Sequence, residues 1–101
     1  MNVQSVGEIG AHCGVNLYAI SKAAAYKKLS GVDVSPFVVS EGKKLLSVNM
    51  NMPWTLEVAR ADKLPWGDKN HDVVLSVGVL LCISPREIET TLKEMIRVAK
   101  K

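Results

Sequence analysis

Apolar and polar positions along this chain change period several times, and each change marks a new element. Residues 3–9 read as a first strand ending at Gly10, and residues 15–29 as a helix with Leu17, Ile20, Ala23 and Ala24 on its inner face. Residues 31–34, Gly-Val-Asp-Val, form a short second strand. Ser35-Pro36 then opens a helix: the serine supplies an N-cap oxygen, and a proline at the first helical position loses no needed N–H. That helix turns Val38, Val39, Leu45 and Leu46 inward and fades near Ser47. Residues 48–53 read as a loop, 55–61 as a third strand and 64–70 as a turn-rich connection, with His71 after it read as one more turn residue. Residues 72–79 are a near-continuous Val and Leu run, the mark of a buried central strand. Ser84, Pro85 and Glu87 combine an N-cap, a first-turn proline and a capping box. The helix they open places Ile88, Leu92, Met95, Ile96 and Ala99 on one stripe.

Strands alternating with helices predict an α/β fold with a parallel sheet and crossover helices. Right-handed crossovers put the strands in the order 3-2-1-4, a partial doubly wound, Rossmann-like sheet whose switch point lies between strands one and four. Residues 1–101 read as a single partial domain, the ligand-binding half of a fold that ordinarily continues with more strands. Such a truncation leaves the fourth strand as an apolar edge that invites pairing with a second copy or another chain.

Composition narrows the function classes. The 101 residues are 48% apolar with only five aromatics, so a core of Val, Leu, Ile, Ala and Met is affordable and disorder is not expected. No apolar run approaches the roughly 18 residues of a membrane span. No signal-peptide pattern opens the chain, and two cysteines are too few for a disulfide framework, so a reducing, cytoplasmic setting is expected. The net charge of +3 is spread over dispersed lysines and does not call for a nucleic-acid partner.

The first candidate chemistry lies where strand one meets helix one, at Glu8-Ile9-Gly10-Ala11-His12-Cys13-Gly14. Glycines there allow a sharp turn and close approach of a ligand to a helix N-terminus. The G-x-x-x-G spacing is weak alone, because any strand-to-helix turn can use two glycines. Asp33 strengthens it: an acidic residue ends the second strand 25 positions after Glu8, near the spacing at which a carboxylate meets a ribose diol. The bland reading, a helix-capping aspartate, is already served by Ser35. Asp62, after the third strand, can accept from an exocyclic amine with Leu64 and Trp66 as apolar walls; the alternative is a solvated aspartate with Trp66 plugging the core.

Four stretches together resemble class I S-adenosylmethionine-dependent methyltransferases, especially the small-molecule branch: Glu8-x-Gly10-x-x-x-Gly14, Gly31-Val32-Asp33-Val34-Ser35-Pro36, Ala61-Asp62-x-Leu64-Pro65-Trp66, and residues 72–80 followed by Glu94-Met95-Ile96-Arg97-Val98. The resemblance covers nearly the whole chain, with the motifs in family order. It implies S-adenosylmethionine as cofactor and methyl transfer to a small-molecule oxygen, nitrogen or carbon. Glu8, Gly10, Ala11, His12 and Gly14 would then shape the turn around the methionine part, and Asp33 would bind the ribose, with Val34 beside the adenine. Asp62 and the Ala61 backbone would read the adenine amine near Leu64, and Ser76, Val77 and Gly78 would line the reactive end. No catalytic residue is implied, because an activated sulfonium needs no general base.

Two positions depart from the family pattern. His12 stands where the middle glycine is usual, at a place that asks for positive φ, though histidine is among the more tolerant side chains. Cys82 stands where close relatives often carry histidine. The alternatives are a catalytically inactive scaffold or interaction module and a NAD-binding Rossmann protein, which would keep the three-glycine fingerprint. A metal site at His12, Cys13 and Cys82 lacks the spacing of known ligand sets.

Overall fold

The computed structural model describes residues 3–77 and 84–100. The order of elements is β1 (Ser5–Ile9), α1 (Val15–Ala23), β2 (Lys28–Asp33), α2 (Pro36–Asn49), β3 (Trp54–Val58), β4 (Val73–Ser76) and α3 (Pro85–Val98). All strand pairs are parallel, and the sheet runs β3-β2-β1-β4. The Rossmann-like α/β architecture and strand order expected from the crossover rules are therefore present.

One sheet face carries Val6, Leu29 and Leu56 against Leu17 of α1 and Val39 and Leu46 of α2. The other carries Ile9 and Val32 against Leu64, Trp66 and Val98. Leu17 and Leu29 are fully buried, and burial of each such side chain contributes about 2 kcal/mol of transfer free energy. Inside α2, Gly42 faces this core: a Cβ there would lie 2.5 Å from Leu56 Cδ2 and 2.7 Å from the Cys13 carbonyl. That contact lets α2 press directly on the turn after β1.

Element boundaries depart from the sequence reading where tertiary pairing overrides local preference. Helix α1 stops at Ala23, with Ala24 extended and both alanines exposed, because Lys28, Leu29 and Ser30 pair with Ser5, Val6 and Gly7. Helix α2 runs on to Asn49, whose Nδ2 donates to the Leu45 carbonyl at 2.7 Å, and Leu45 is 52% exposed rather than inward. Strand β3 starts one residue early and ends at Val58. Strand β4 is half-buried, and the expected continuation through Val79 lies partly outside the described residues. On α3 the inward residues are Thr91 and Val98 with Ile88 and Met95, while Leu92 and Ile96 face solvent. Ser84 makes no side-chain cap, and Glu87 turns toward Arg60 instead of closing a capping box.

His71 is no exposed turn residue. It is fully buried, its ring meets Trp66 edge-on at 4.5 Å, and its backbone pairs with Val98 at the end of α3 and Lys100 just after it. Neither ring nitrogen has a hydrogen-bond partner among the described residues, and burial lowers its pKa to about 4.

Candidate functional site at the carboxyl edge of the sheet

The chain leaves β1 and enters α1 within five residues, and three of the five are left-handed: Gly10 at φ 72, His12 at φ 55 and Gly14 at φ 88. The glycines take this conformation freely. His12 takes it too, at a cost of about 1–2 kcal/mol for an L-residue. Hydrogen bonds offset that strain. The Val32 carbonyl accepts from Gly10 N and Ala11 N at 2.9 Å each, and His12 N donates to Asp33 Oδ2 at 2.9 Å. The non-glycine residue that the sequence set against the turn is thus tied to the end of β2. Gly14 caps α1 without any side-chain bond, and no acidic residue lies in the first helical turn.

Glu8 projects from β1 toward α1 and is only 1% exposed. Its Oε2 accepts from Asn16 Nδ2 at 2.8 Å, while Oε1 has no partner among the described residues. Burial pushes its pKa up, opposed by the Asn16 bond. Asp33, half-buried at the end of β2, also accepts from Ser35 N at 3.1 Å through Oδ1. Each of its oxygens therefore has one backbone donor and room for another. Ser35 caps α2 as expected, its Oγ accepting from Val38 N at 3.3 Å. Beside Asp33, Val34 and Phe37 are 64% and 73% exposed, an apolar pair that can flank a flat ring.

Across β1, Ser76 sits in register with Ile9, its Oγ buried and without a partner among the described residues. Val77 next to it is 64% exposed, and Gly78 and Cys82 lie outside the described residues. Past β3, Ala59 N donates to the Asp33 carbonyl at 3.0 Å, which starts the following loop beside Asp33. There Asp62 receives two bonds from Arg60, both 2.9 Å, and these hold its carboxyl below the usual carboxylate range. Ala61 is half-buried, and Leu64 and Trp66 belong to the core. The Leu64 N–H is committed to Glu94 Oε1 at 2.8 Å.

Glu8, Gly10, Ala11, His12, Gly14, Asp33, Val34, Ser76 and Val77 thus share the carboxyl edge of the sheet, the side on which open α/β sheets take ligands. Asn16, Phe37 and Arg60 join them without having been singled out in the sequence. Asn16 had a signal, lying on the α1 face that turns toward Glu8, whereas Phe37 looked like any apolar residue of a helical turn.

A family model described as a methyltransferase domain matches residues 6–101. The chain belongs to the methyltransferase domain family. That membership decides against the NAD-binding alternative, and no observation favours an inactive scaffold. No curated protein matches the chain significantly. Among solved structures, a candidate S-adenosyl-L-methionine-dependent methyltransferase of Methanococcus maripaludis is 19% identical with a TM-score of 0.88, over 100% of this chain and 45% of its own. The YcgJ protein of Bacillus subtilis is 21% identical with a TM-score of 0.86, over 98% of this chain and 41% of its own. Phosphoethanolamine N-methyltransferase 1 of Haemonchus contortus, solved with phosphoethanolamine and S-adenosylhomocysteine, is 17% identical with a TM-score of 0.83, over 99% and 21%. This methyltransferase domain chain spans less than half the length of these structures.

Proposed function

We propose that this chain forms the S-adenosylmethionine-binding half of a methyltransferase that acts on a small-molecule acceptor. The observation that carries the reading is the buried Glu8 carboxylate, with one oxygen unpaired among the described residues, beside a left-handed turn tied to Asp33. An unpaired buried oxygen is costly unless a donor arrives, and the ammonium of a bound amino acid is such a donor. The uncapped N-terminus of α1 suits the carboxylate of the same amino acid.

Gly10, Ala11, His12 and Gly14 would hold the methionine part against the backbone. Asp33 would accept from the ribose diol with its two remaining positions, and Val34 with Phe37 would pack on the adenine. Asp62 and the Ala61 backbone would read the amine, with Leu64 fixing that loop from the core. Ser76, Val77 and Gly78 would line the end nearest the acceptor. When bound, the cofactor supplies an electrophilic methyl group on a sulfonium, so these residues need only orient it and keep water out.

A neighbour from Haloferax volcanii, 23% identical with a TM-score of 0.82, is solved in complex with the Trm112 methyltransferase activator. That supports a protein partner here as well, a second copy or another chain at the edge of β4. The setting we infer is the cytoplasm; among the described residues no helix is long and apolar enough to cross a membrane.

Calorimetric titration with S-adenosylmethionine and S-adenosylhomocysteine, with NAD as control, tests the reading. Binding of the first two and not of NAD is expected. A folded chain that binds NAD alone, or none of the three, contradicts it.

A further inference from the structure

Arg60 leaves β3 with 61% of its side chain exposed, yet its guanidinium is committed. Its Nε and Nη2 each lie 2.9 Å from one oxygen of Asp62, and Nη2 is also 3.4 Å from Glu87 Oε1 in the first turn of α3. The backbone explains why neighbours two apart can meet. Arg60 and Lys63 form an antiparallel bridge, with Lys63 N donating to the Arg60 carbonyl at 3.2 Å, so residues 60–63 close a tight loop. Leu64 anchors the same loop to Glu94, which Arg97 holds at 2.6 Å.

A fork of this kind fixes the plane of the carboxylate and uses one acceptor position on each oxygen. The remaining position on each oxygen points away from the guanidinium. An aspartate free on an exposed loop would sample several rotamers and lose that freedom on binding. Asp62 is held in that plane beforehand, and the Arg60 hydrogen bonds shift its carboxyl further below the usual carboxylate range. A charged acceptor with no proton to give welcomes an amine and rejects a carbonyl oxygen.

We infer that Arg60 is a positioning residue for nucleobase recognition: by clamping Asp62 it makes the site select a 6-amino purine over a 6-oxo purine. This rests on the cofactor site proposed above. The chain and its Arg60→Gln, Arg60→Lys, Asp62→Asn and doubly substituted Arg60→Gln/Asp62→Asn variants are titrated with S-adenosylhomocysteine and with its 6-oxo counterpart, S-inosylhomocysteine.

Arg60→Gln is expected to weaken the adenosyl ligand about fivefold and to leave the inosyl ligand within about twofold. Arg60→Lys should recover part of the selectivity, and in the Asp62→Asn background Arg60→Gln should not change it further. By carbon-detected resonance titration the Asp62 carboxyl should also move up in pH in Arg60→Gln, with no ligand present. Equal weakening of both ligands would reduce Arg60 to a loop support, and tighter adenosyl binding would make it a competitor of the base. Either result overturns the inference while the cofactor site stands. If the unsubstituted chain binds neither ligand, the site reading itself fails and the inference with it.

Discussion

Two aspartates at opposite edges of the sheet separate what holds this domain together from what is free to bind. At the amino edge, Asp72 Oδ2 accepts from Gln4 N at 2.7 Å and Ser5 N at 3.0 Å, Oδ1 meets Lys100 Nζ at 3.1 Å, and the Asp72 N–H donates to Ser5 Oγ. Those donors, the Gln4 amide foremost, hold its carboxyl below the usual range. At the carboxyl edge, Asp33 has one backbone donor per oxygen and no cation within reach among the described residues. Glu8 and Ser76 nearby keep a polar atom with no partner among the described residues. The residue type is the same at both ends. Saturation by the chain's own groups distinguishes structure from site.

His71 tests that rule, because it lies at the amino edge with both ring nitrogens unpaired among the described residues. It is enclosed by Trp66 and the end of α3, where it acts as a neutral, ring-shaped hydrophobe. Its folded-state pKa of about 4 lies below the ordinary histidine value of 6.5. Above pH 6.5 both states are neutral at this residue and it adds no pH dependence. As pH falls from 6.5 toward 4 the unfolded chain takes up the proton first, and stability is lost by an amount on the order of 3 kcal/mol. Chemical denaturation at stepped pH should show that loss, and His71→Phe should flatten the slope over this window. An unchanged slope would mean that His71 is reachable by water.

The two aspartates should then respond in opposite ways. Asp33→Ala is expected to weaken S-adenosylhomocysteine at least about tenfold, because it removes the acceptor pair for a diol, and to lower the melting temperature less than Asp72→Ala, because the His12 N–H that it frees is exposed to water. Asp72→Ala should lower the melting temperature by several degrees, since it strands two backbone N–H groups, and leave affinity within about twofold. Matching responses at the two positions would erase the distinction. The smallest effect belongs to the turn. His12→Gly relieves left-handed strain and should stabilise the fold by about 1 kcal/mol, less the glycine's greater unfolded-state entropy, as urea unfolding can measure.

Much of this was legible in the sequence for identifiable reasons. Ser35-Pro36 marked the start of α2 because capping is local chemistry, and the strand order followed from right-handed crossovers. The positions of Gly10, Gly14 and Asp33 followed from the turn and the strand end. What escaped depends on contacts distant in sequence. The Ala-rich stretch after α1 favours helix, yet pairing of Lys28 with Ser5 pulls it out. His71 reads as a polar turn residue until α3 and Trp66 enclose it, and the Arg60–Asp62 clamp exists only because residues 60–63 close on themselves.

The most direct measurement is amide resonance mapping of the labelled chain titrated with S-adenosylhomocysteine. Shifts concentrated at Gly10, His12, Gly14, Asp33 and Ser35, with Ser5 and Asp72 still, are what the account predicts. Shifts centred on Ser5 and Asp72, or no saturable shifts in a folded chain, would contradict it.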